Sequence, residues 1–397
     1  MAQEPALAIV GGGIAGLATA LALGQRQINT VVFERADAFT EAGAGIGLGP
    51  NATRLLQAWG LGKALQAVAC TPDSLLARDA IDGKVYGRLP MGQSFIDHYG
   101  APYLTVHRAD LHAMLLDAVV KQSSTELLLN HTLTDLLESE HNISLAFNNG
   151  ANLYDSQAVM GADGLHSRVR HWVTGDDAPV ATGHWAYRTL LRASDLPVAL
   201  RSSQLGIWMG RHLHVVHYPV RSGDYINLVV LLESQATQAQ PGWDLQLSSA
   251  QIANDLQSAL RGCCTPLQDL IHAASQWRAW CLFDRPVVQR PSQLAQRKLA
   301  LLGDAAHPML PYLAQGAGMA LEDAACLALH WQRDDLSPEQ RLAHYAKARW
   351  QRVAKVQQRA GRNSEIFHAD GALRIARNAA LRLAGARLMD MPWLYAA

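Results

Sequence analysis

Ala6–Gly24, ALAIVGGGIAGLATALALG, decides the fold. The stretch carries no charge and is about as long as a membrane span, but its internal order is that of a strand, a turn and a helix. Leu7–Val10 is short and β-rich, Gly11–Gly13 interrupts it, and Leu17, Ala20, Leu21 and Leu23 then recur at helical spacing. No basic segment precedes it, so neither a signal peptide nor an anchor is expected. Gly11-Gly12-Gly13-Ile14-Ala15-Gly16 fits G-x-G-x-x-G. In that pattern the first glycine permits a tight turn, the second lets backbone approach a pyrophosphate, and the third lets the helix pack on the strand. The helix N-terminus then presents free N–H groups and the positive end of its dipole to phosphate. Thr30–Phe33 reads as a second strand, and Glu34 closes it about twenty residues on, where a carboxylate holds a ribose hydroxyl. This βαβ unit, with Gly11, Gly13 and Gly16, is expected to bind a dinucleotide.

The remaining chain is long enough, at 397 residues in all, for two domains or one large domain with insertions. Thirty-four basic residues balance thirty-four acidic ones without a long run of either sign, which argues against a nucleic-acid-binding face. Cys70, Cys263, Cys264, Cys281 and Cys326 are odd in number and contain no C-x-x-C pair. Neither a zinc ribbon nor a disulfide framework follows, and a reducing cytoplasm fits best. Glu41–Ala52, EAGAGIGLGPNA, reads as a glycine-rich loop opening a helix over 52–60, and a further helix is expected over 110–120. Residues 126–159 turn to short strands with a hairpin at FNNGANLY, and more strands are expected over 183–233. A helix is expected over 249–260, and beyond Pro338 the pattern is mostly helical, its scattered Arg and Lys forming a solvated face.

Two later segments repeat the theme of an apolar strand ending in a small-residue turn with an aspartate. Val159–Gly164, VMGADG, precedes Ser167, Arg168 and Arg170. Leu299–Asp304, LALLGD, is followed by Pro308, by Gly316-Ala317-Gly318 and by a helix with Glu322 and Asp323. Taken with His107–Leu111, HRADL, and in this order along nearly the whole chain, these motifs resemble the single-component FAD-dependent aromatic hydroxylases. The branches most similar are the 3-hydroxybenzoate 6-hydroxylases and the salicylate hydroxylases, the former especially over Ile207–Val220, IWMGRHLHVVHYPV.

That resemblance implies an α/β architecture: a Rossmann-like FAD-binding domain of the glutathione-reductase type, as in para-hydroxybenzoate hydroxylase, interleaved with a smaller α+β substrate domain. The expected division is 1–75, 101–180 and 285–340 for FAD, 76–100 and 181–284 for substrate, and 341–397 as a C-terminal helical segment. It implies FAD as cofactor, NADH or NADPH as cosubstrate with NADH preferred, O2, and a small aromatic acid as substrate. Hydroxylation would proceed through a flavin C4a-hydroperoxide. Glu34 would bind the adenosine ribose, Arg108 the phosphates or ribityl chain, and Asp304 a ribityl hydroxyl, while Asp163 would serve FAD and the nicotinamide. Ala15, Arg35 and Leu133 join the cofactor set, and Gln315, Gly316, Ala317 and Gly318 would start a helix at the pyrimidine ring, where reduced flavin is anionic. No membrane or nucleic-acid partner is implied, and a homodimer is compatible.

A ring hydroxyl must ionise before the ring attacks an electrophilic oxygen, so the site needs a proton acceptor. His212-Leu213-His214-Val215-Val216-His217-Tyr218 holds the candidates. As a strand, it would place His212, His214, Val216 and Tyr218 on one face and His217 on the other. The resemblance selects His214 for deprotonating or orienting the phenol and Tyr218 for hydrogen bonding to substrate. A metal at His212 and His214 is not expected, because no carboxylate shares their strand face. Pro311 and Tyr312 are expected against substrate. Pro311 stands where the 3-hydroxybenzoate branch carries Gln, Tyr312 resembles that branch, and Gly47 replaces a His of 6-hydroxynicotinate 3-monooxygenases, which weakens a hydroxypyridine carboxylate as substrate. A flavin oxidoreductase without oxygen transfer and a non-enzymatic flavin-binding protein are the rival classes.

Overall fold

The computed structural model describes residues 6–40, 44–175, 178–233 and 247–396. Part of the expected loop, 41–43, lies outside them. Two sheets organise the molecule. The first has six strands in the spatial order Ala295–Gln296, Leu299–Leu301, Val159–Gly161, Leu7–Val10, Thr30–Phe33 and Thr125–Leu128. All pairings are parallel except the edge pair Ala295–Gln296 with Leu299–Leu301. Leu7–Val10 sits inside this sheet and is buried throughout, as near-continuous apolar strands of parallel sheets are. Helix Ile14–Gly24 packs against helix Gly316–Trp331, and its Leu17, Leu21 and Leu23 are removed from water. Each such burial contributes about 2 kcal/mol. The apolar N-terminal stretch is thus core. Among the described residues no helix is long and apolar enough to cross a membrane.

Residues 133–156 form a three-stranded antiparallel meander, with the expected turn at Asn148–Gly150. Asn149 and Gly150 take φ of 58° and 85° there, conformations that Asn and Gly adopt most readily. Phe33 stacks on Phe147 at 4.3 Å and so ties the meander to the parallel sheet.

The second sheet has seven strands, in the order Arg278–Asp284, Val180–Arg192, Tyr225–Glu233, Leu213–Val220, Leu205–Gly210, Ser74–Asp79 and Val85–Pro90. Alternation sorts its faces. Val215, Leu228 and Val230 pack with Ile252, Leu256, Leu267 and Leu270 of helices Ser249–Ala259 and Thr265–His272. His214, Val216, Tyr218 and Leu231 point the other way, into a cavity. Gly45–Leu48, expected as loop, is instead a strand paired antiparallel with Leu104–His107. Its alternating glycines hide a strand signal, and close contacts explain them: a Cβ on Gly45 would lie 2.6 Å from both Asn227 and Tyr218 side-chain atoms.

Behind the cavity runs the longest helix, Pro338–Phe367, opened by a capping box between Ser337 and Gln340. Helix Gly371–Met389 follows and lies on strand Val85–Pro90. Its anchor is charged: Asp79, fully buried, accepts hydrogen bonds from Arg374 (2.8 and 2.9 Å), Arg377 (3.2 Å) and Asn378 (2.8 Å). Burial alone would raise the Asp79 pKa, but the bonds from Arg374 and Asn378 hold it well below the usual carboxylate range.

Candidate active site

The first sheet delivers three turns to one side. Gly11 ends the first strand at φ 108°, and a Cβ there would stand 2.4 Å from the Ala162 carbonyl oxygen. No other residue suits both the dihedral and the contact. Gly12 N–H donates to Glu34 Oε2 at 2.7 Å and Ala36 N–H to Glu34 Oε1 at 2.9 Å, which fixes that carboxylate beside the glycine turn. Asp163 is committed inward: it accepts from the Ser167 hydroxyl (2.5 Å) and from the N–H groups of Arg168 (2.7 Å) and Val169 (3.2 Å). Burial nevertheless pushes its pKa above the ordinary value. Arg168 in turn donates to the Leu133 carbonyl at 2.9 Å.

The third turn carries the late Gly-Asp motif. Asp304 is exposed to the cavity and makes no hydrogen bond within the described residues. Pro311–Leu313 forms a short 3-10 turn, Ala314 takes a left-handed φ of 50°, and Gln315 occupies the position before the helix that starts at Gly316. A buried charge network holds this turn from behind. Asp323 accepts from Gly303 N–H (3.0 Å) and Arg349 Nε (2.7 Å) and lies 2.6 Å from His307 Nε2. Glu322 pairs with Arg349 and Arg352 and accepts from Asn51. Burial opposes ionisation of both carboxylates, yet the paired cations hold them below their ordinary pKa values.

The second sheet closes the other side. His214 is 2% exposed and neither of its ring nitrogens has a hydrogen-bond partner. Its ring stacks on Tyr312 at 5.5 Å and meets Phe367 at 4.8 Å. Burial, then the nearby His368 and Arg377, push its pKa well below the ordinary value, so the imidazole is neutral. Tyr218 lies on the same wall, its pKa pushed up to about 12 by burial. His217 faces away and packs with Trp208, which donates to it at 3.2 Å. His212 departs from the expected face: it sits in the turn at φ 54°, its side chain exposed and 2.5 Å from Glu233. The hairpin turn precedes the strand, so alternation does not reach it. The Tyr312 hydroxyl lies 2.6 Å from His184 Nδ1 and its carbonyl accepts from Asn363 at 2.9 Å.

One cavity of about 900 Å³ joins these walls. Gly11, Gly13, Ala15, Glu34, Arg35, Arg108, Leu133 and Asp163 line it at one end. Asp304, Pro311, Tyr312, Gln315, Gly316 and Ala317 line it along the late Gly-Asp turn and the helix start after it, and His214 and Tyr218 line it from the second sheet. Gly16 and Gly318 do not reach it. A Cβ on Gly16 would fall 1.9 Å from the Gly11 carbonyl oxygen, and one on Gly318 would fall 2.8 Å from Gln315 Oε1, so both serve packing. Sequence reasoning missed Arg188, Tyr103, Phe367 and Arg377. Arg188 is held over the Trp280 ring at 4.9 Å with its Nε buried and unbonded, and burial pushes its pKa down. It sits in an expected strand without any local motif, and only its being a charge in an apolar run could have drawn notice.

FAD fits this set of groups. Two helix N-termini face one cavity, a carboxylate fixed on the glycine turn suits a ribose, the free Asp304 carboxylate suits a polyol, and Gly316 and Ala317 leave a flat ring room to approach. The family model described as "FAD binding domain" matches residues 4–360. The chain belongs to this family of FAD-dependent aromatic hydroxylases. As a flavoprotein monooxygenase, it is 36% identical to the 3-hydroxybenzoate 6-hydroxylase of Polaromonas naphthalenivorans, over 100% of this chain and 97% of that one. It is 35% identical to the 3-amino-4-hydroxybenzoate 2-monooxygenase PtmB3 of Streptomyces platensis, over 99% and 96%. Among solved structures, a salicylate hydroxylase substrate complex shares the flavoprotein's fold with a TM-score of 0.82 at 24% identity, over 100% and 96% of the two chains.

Proposed function

We propose that the enzyme hydroxylates a small phenolic acid of the hydroxybenzoate class, consuming NADH and O2. One observation carries the reading: a fully buried, neutral histidine, His214, stands on the cavity wall with both ring nitrogens unbonded. An unpartnered polar group at that depth costs about 1–3 kcal/mol unless a ligand satisfies it. A phenol does so, donating its O–H to the unprotonated ring nitrogen, and polarisation of the O–H along that bond raises the electron density of the ring. When bound, FAD supplies reduction by the nicotinamide and activation of oxygen. Tyr218, four residues along the same wall, hydrogen-bonds the carboxylate end, and the Arg188 guanidinium gives that end a positive field. Tyr312 stacks on His214 and closes the apolar wall over the ring, with Pro311 beside it. The flavin is held by Glu34 at the adenosine ribose, Arg108 at the phosphates and Asp304 at the ribityl chain.

A hydroxypyridine carboxylate is disfavoured by packing. A Cβ on Gly47 would lie 2.2 Å from the Tyr103 hydroxyl, which leaves no space for the His of the 6-hydroxynicotinate branch. A panel of mono-hydroxybenzoates, benzoate and hydroxypyridine carboxylates, scored by product per NADH consumed, tests the reading. Hydroxybenzoates give coupled product and benzoate gives none. His214→Asn keeps full FAD content while hydroxylation falls about 100-fold or more. Product from benzoate at the rate of its hydroxylated analogues, or coupled turnover in His214→Asn, overturns it.

A further inference from the structure

Directly behind Tyr312 lies a second cluster that the proposed hydroxylation does not use. His184 and Glu233 are opposite partners in the antiparallel pairing of strands Val180–Arg192 and Tyr225–Glu233, so their side chains leave the sheet on the same side. His368 arrives from the C-terminal cap of helix Pro338–Phe367 and donates through Nδ1 to Glu233 Oε1 at 2.7 Å. One ligand atom from each of the three residues lies within 4.8 Å of the others. His368 is 4% exposed, and its remaining nitrogen, Nε2, is buried without a hydrogen-bond partner. The His184 and His368 rings stack at 5.3 Å.

We propose that His184, Glu233 and His368 form a binding site for a divalent transition metal of the zinc class, one wall removed from the substrate cavity. Two imidazoles and one carboxylate with an open fourth position are a common zinc donor set. A tetrahedral ion at Zn–N and Zn–O distances of about 2.1 Å needs ligand atoms about 3.4 Å apart, within reach of small side-chain rotations from the observed spacing. Glu233 is exposed and its other oxygen meets the exposed His212, which gives an ion a route from solvent. Strand Leu213–Val220 itself carries no carboxylate. The carboxylate comes from the neighbouring one, and His212 and His214 are not the ligands.

The metal would reach the reaction through Tyr312. His184 Nδ1 lies 2.6 Å from the Tyr312 hydroxyl, and Tyr312 stacks on His214. Drawing His184 onto an ion releases or re-aims Tyr312, so zinc is expected to inhibit, a consequence that rests on the proposed role of His214. Metal retention itself does not.

The test uses FAD-loaded enzyme stripped with chelator, exposed to micromolar zinc chloride, desalted and assayed for zinc by mass spectrometry. Wild type is expected to retain about one zinc per chain, Glu233→Gln and His368→Asn at least tenfold less, and His330→Asn, on a distant helix, as much as wild type. Flavin content and thermal midpoint verify that each variant is folded. X-ray absorption at the zinc edge of the wild type needs no variant and is expected to read two imidazoles and only nitrogen or oxygen ligands. No retained zinc, equal retention in the variants, or a sulfur shell from the free thiols Cys263 and Cys264 overturns the site. Stoichiometric zinc at this site with unchanged turnover overturns the link to Tyr312 while leaving the hydroxylase reading intact.

Discussion

The two ends of the cavity are built by different means. At the nucleotide end, backbone does the shaping: Gly11 in a left-handed turn, a strand on either side in parallel register, and N–H groups that fix Glu34. At the substrate end, side chains from distant segments do it: Asp79 clamps the helix carrying Arg377, Asn363 holds Tyr312, and Phe367 walls in His214. Backbone-built sites tolerate changes of charge and resist changes of shape, and sites built from side-chain pairs are expected to do the reverse.

Gly11→Ala attacks the first kind and has the largest expected effect. A methyl group 2.4 Å from the Ala162 oxygen, on a residue at φ 108°, forces the first strand and the Ala162 turn apart. FAD content, read from the ratio of flavin to protein absorbance, should fall below about a tenth of wild type, with stability down by ~2 kcal/mol or more. Near-normal flavin content would mean that backbone shape is not what holds this end.

Asp79→Asn attacks the second kind and ranks next. It leaves Arg377 without its buried counter-charge, for a loss of about 3 kcal/mol, and should loosen substrate binding while FAD content stays near wild type. The pH dependence has a definite sign. Because the folded Asp79 pKa is depressed, its stabilisation is fully present above its unfolded value near ~3.9 and is lost as pH falls below that. The thermal midpoints of wild type and Asp79→Asn should therefore keep a constant gap above about pH 5 and draw together progressively as pH falls below about 4. A gap that stays constant below about pH 4 would mean that the charge pair does not stabilise the helix.

Ala314→Gly is the mildest probe. Ala314 sits at φ 50° just before the helix that starts at Gly316, a conformation that costs a non-glycine residue about 1 kcal/mol. Glycine relieves that cost and gives back part of it in unfolded-chain entropy, for a net gain of ~0.5 kcal/mol. A higher thermal midpoint supports strain at this turn, and a lower one means that the alanine methyl packs.

The same contrast governs what the sequence made legible. The nucleotide end is written in consecutive residues, so the Gly11–Gly16 motif, the strand ending at Glu34 and the Asp163 and Asp304 turns could all be placed by pattern. The substrate end was legible only in part. Alternation along Leu213–Val220 aimed His214 and Tyr218 correctly, but it could not register that the strand begins after His212. Phe367 and Arg377 carry no local signal and Arg188 only its charge in an apolar run, because what brings them to the cavity is the partner element each one meets. Gly45–Leu48 was hidden for the opposite reason: its glycines answer to the close approach of Asn227 and Tyr218, contacts almost two hundred positions away in the chain.

Helix Pro338–Phe367 acts as a ruler between the two ends. Arg349 grips Glu322 and Asp323 behind the turn at Gly303, Asn363 holds the Tyr312 carbonyl, and Phe367 meets His214. From Arg349 to Asn363 the rigid rod advances about 21 Å at 1.5 Å per residue. One residue inserted in that interval would turn everything beyond it by about 100° and swing Phe367 off the ring it touches. The spacing between the Gly303 turn and the His214 wall is thus set in units of helical residues.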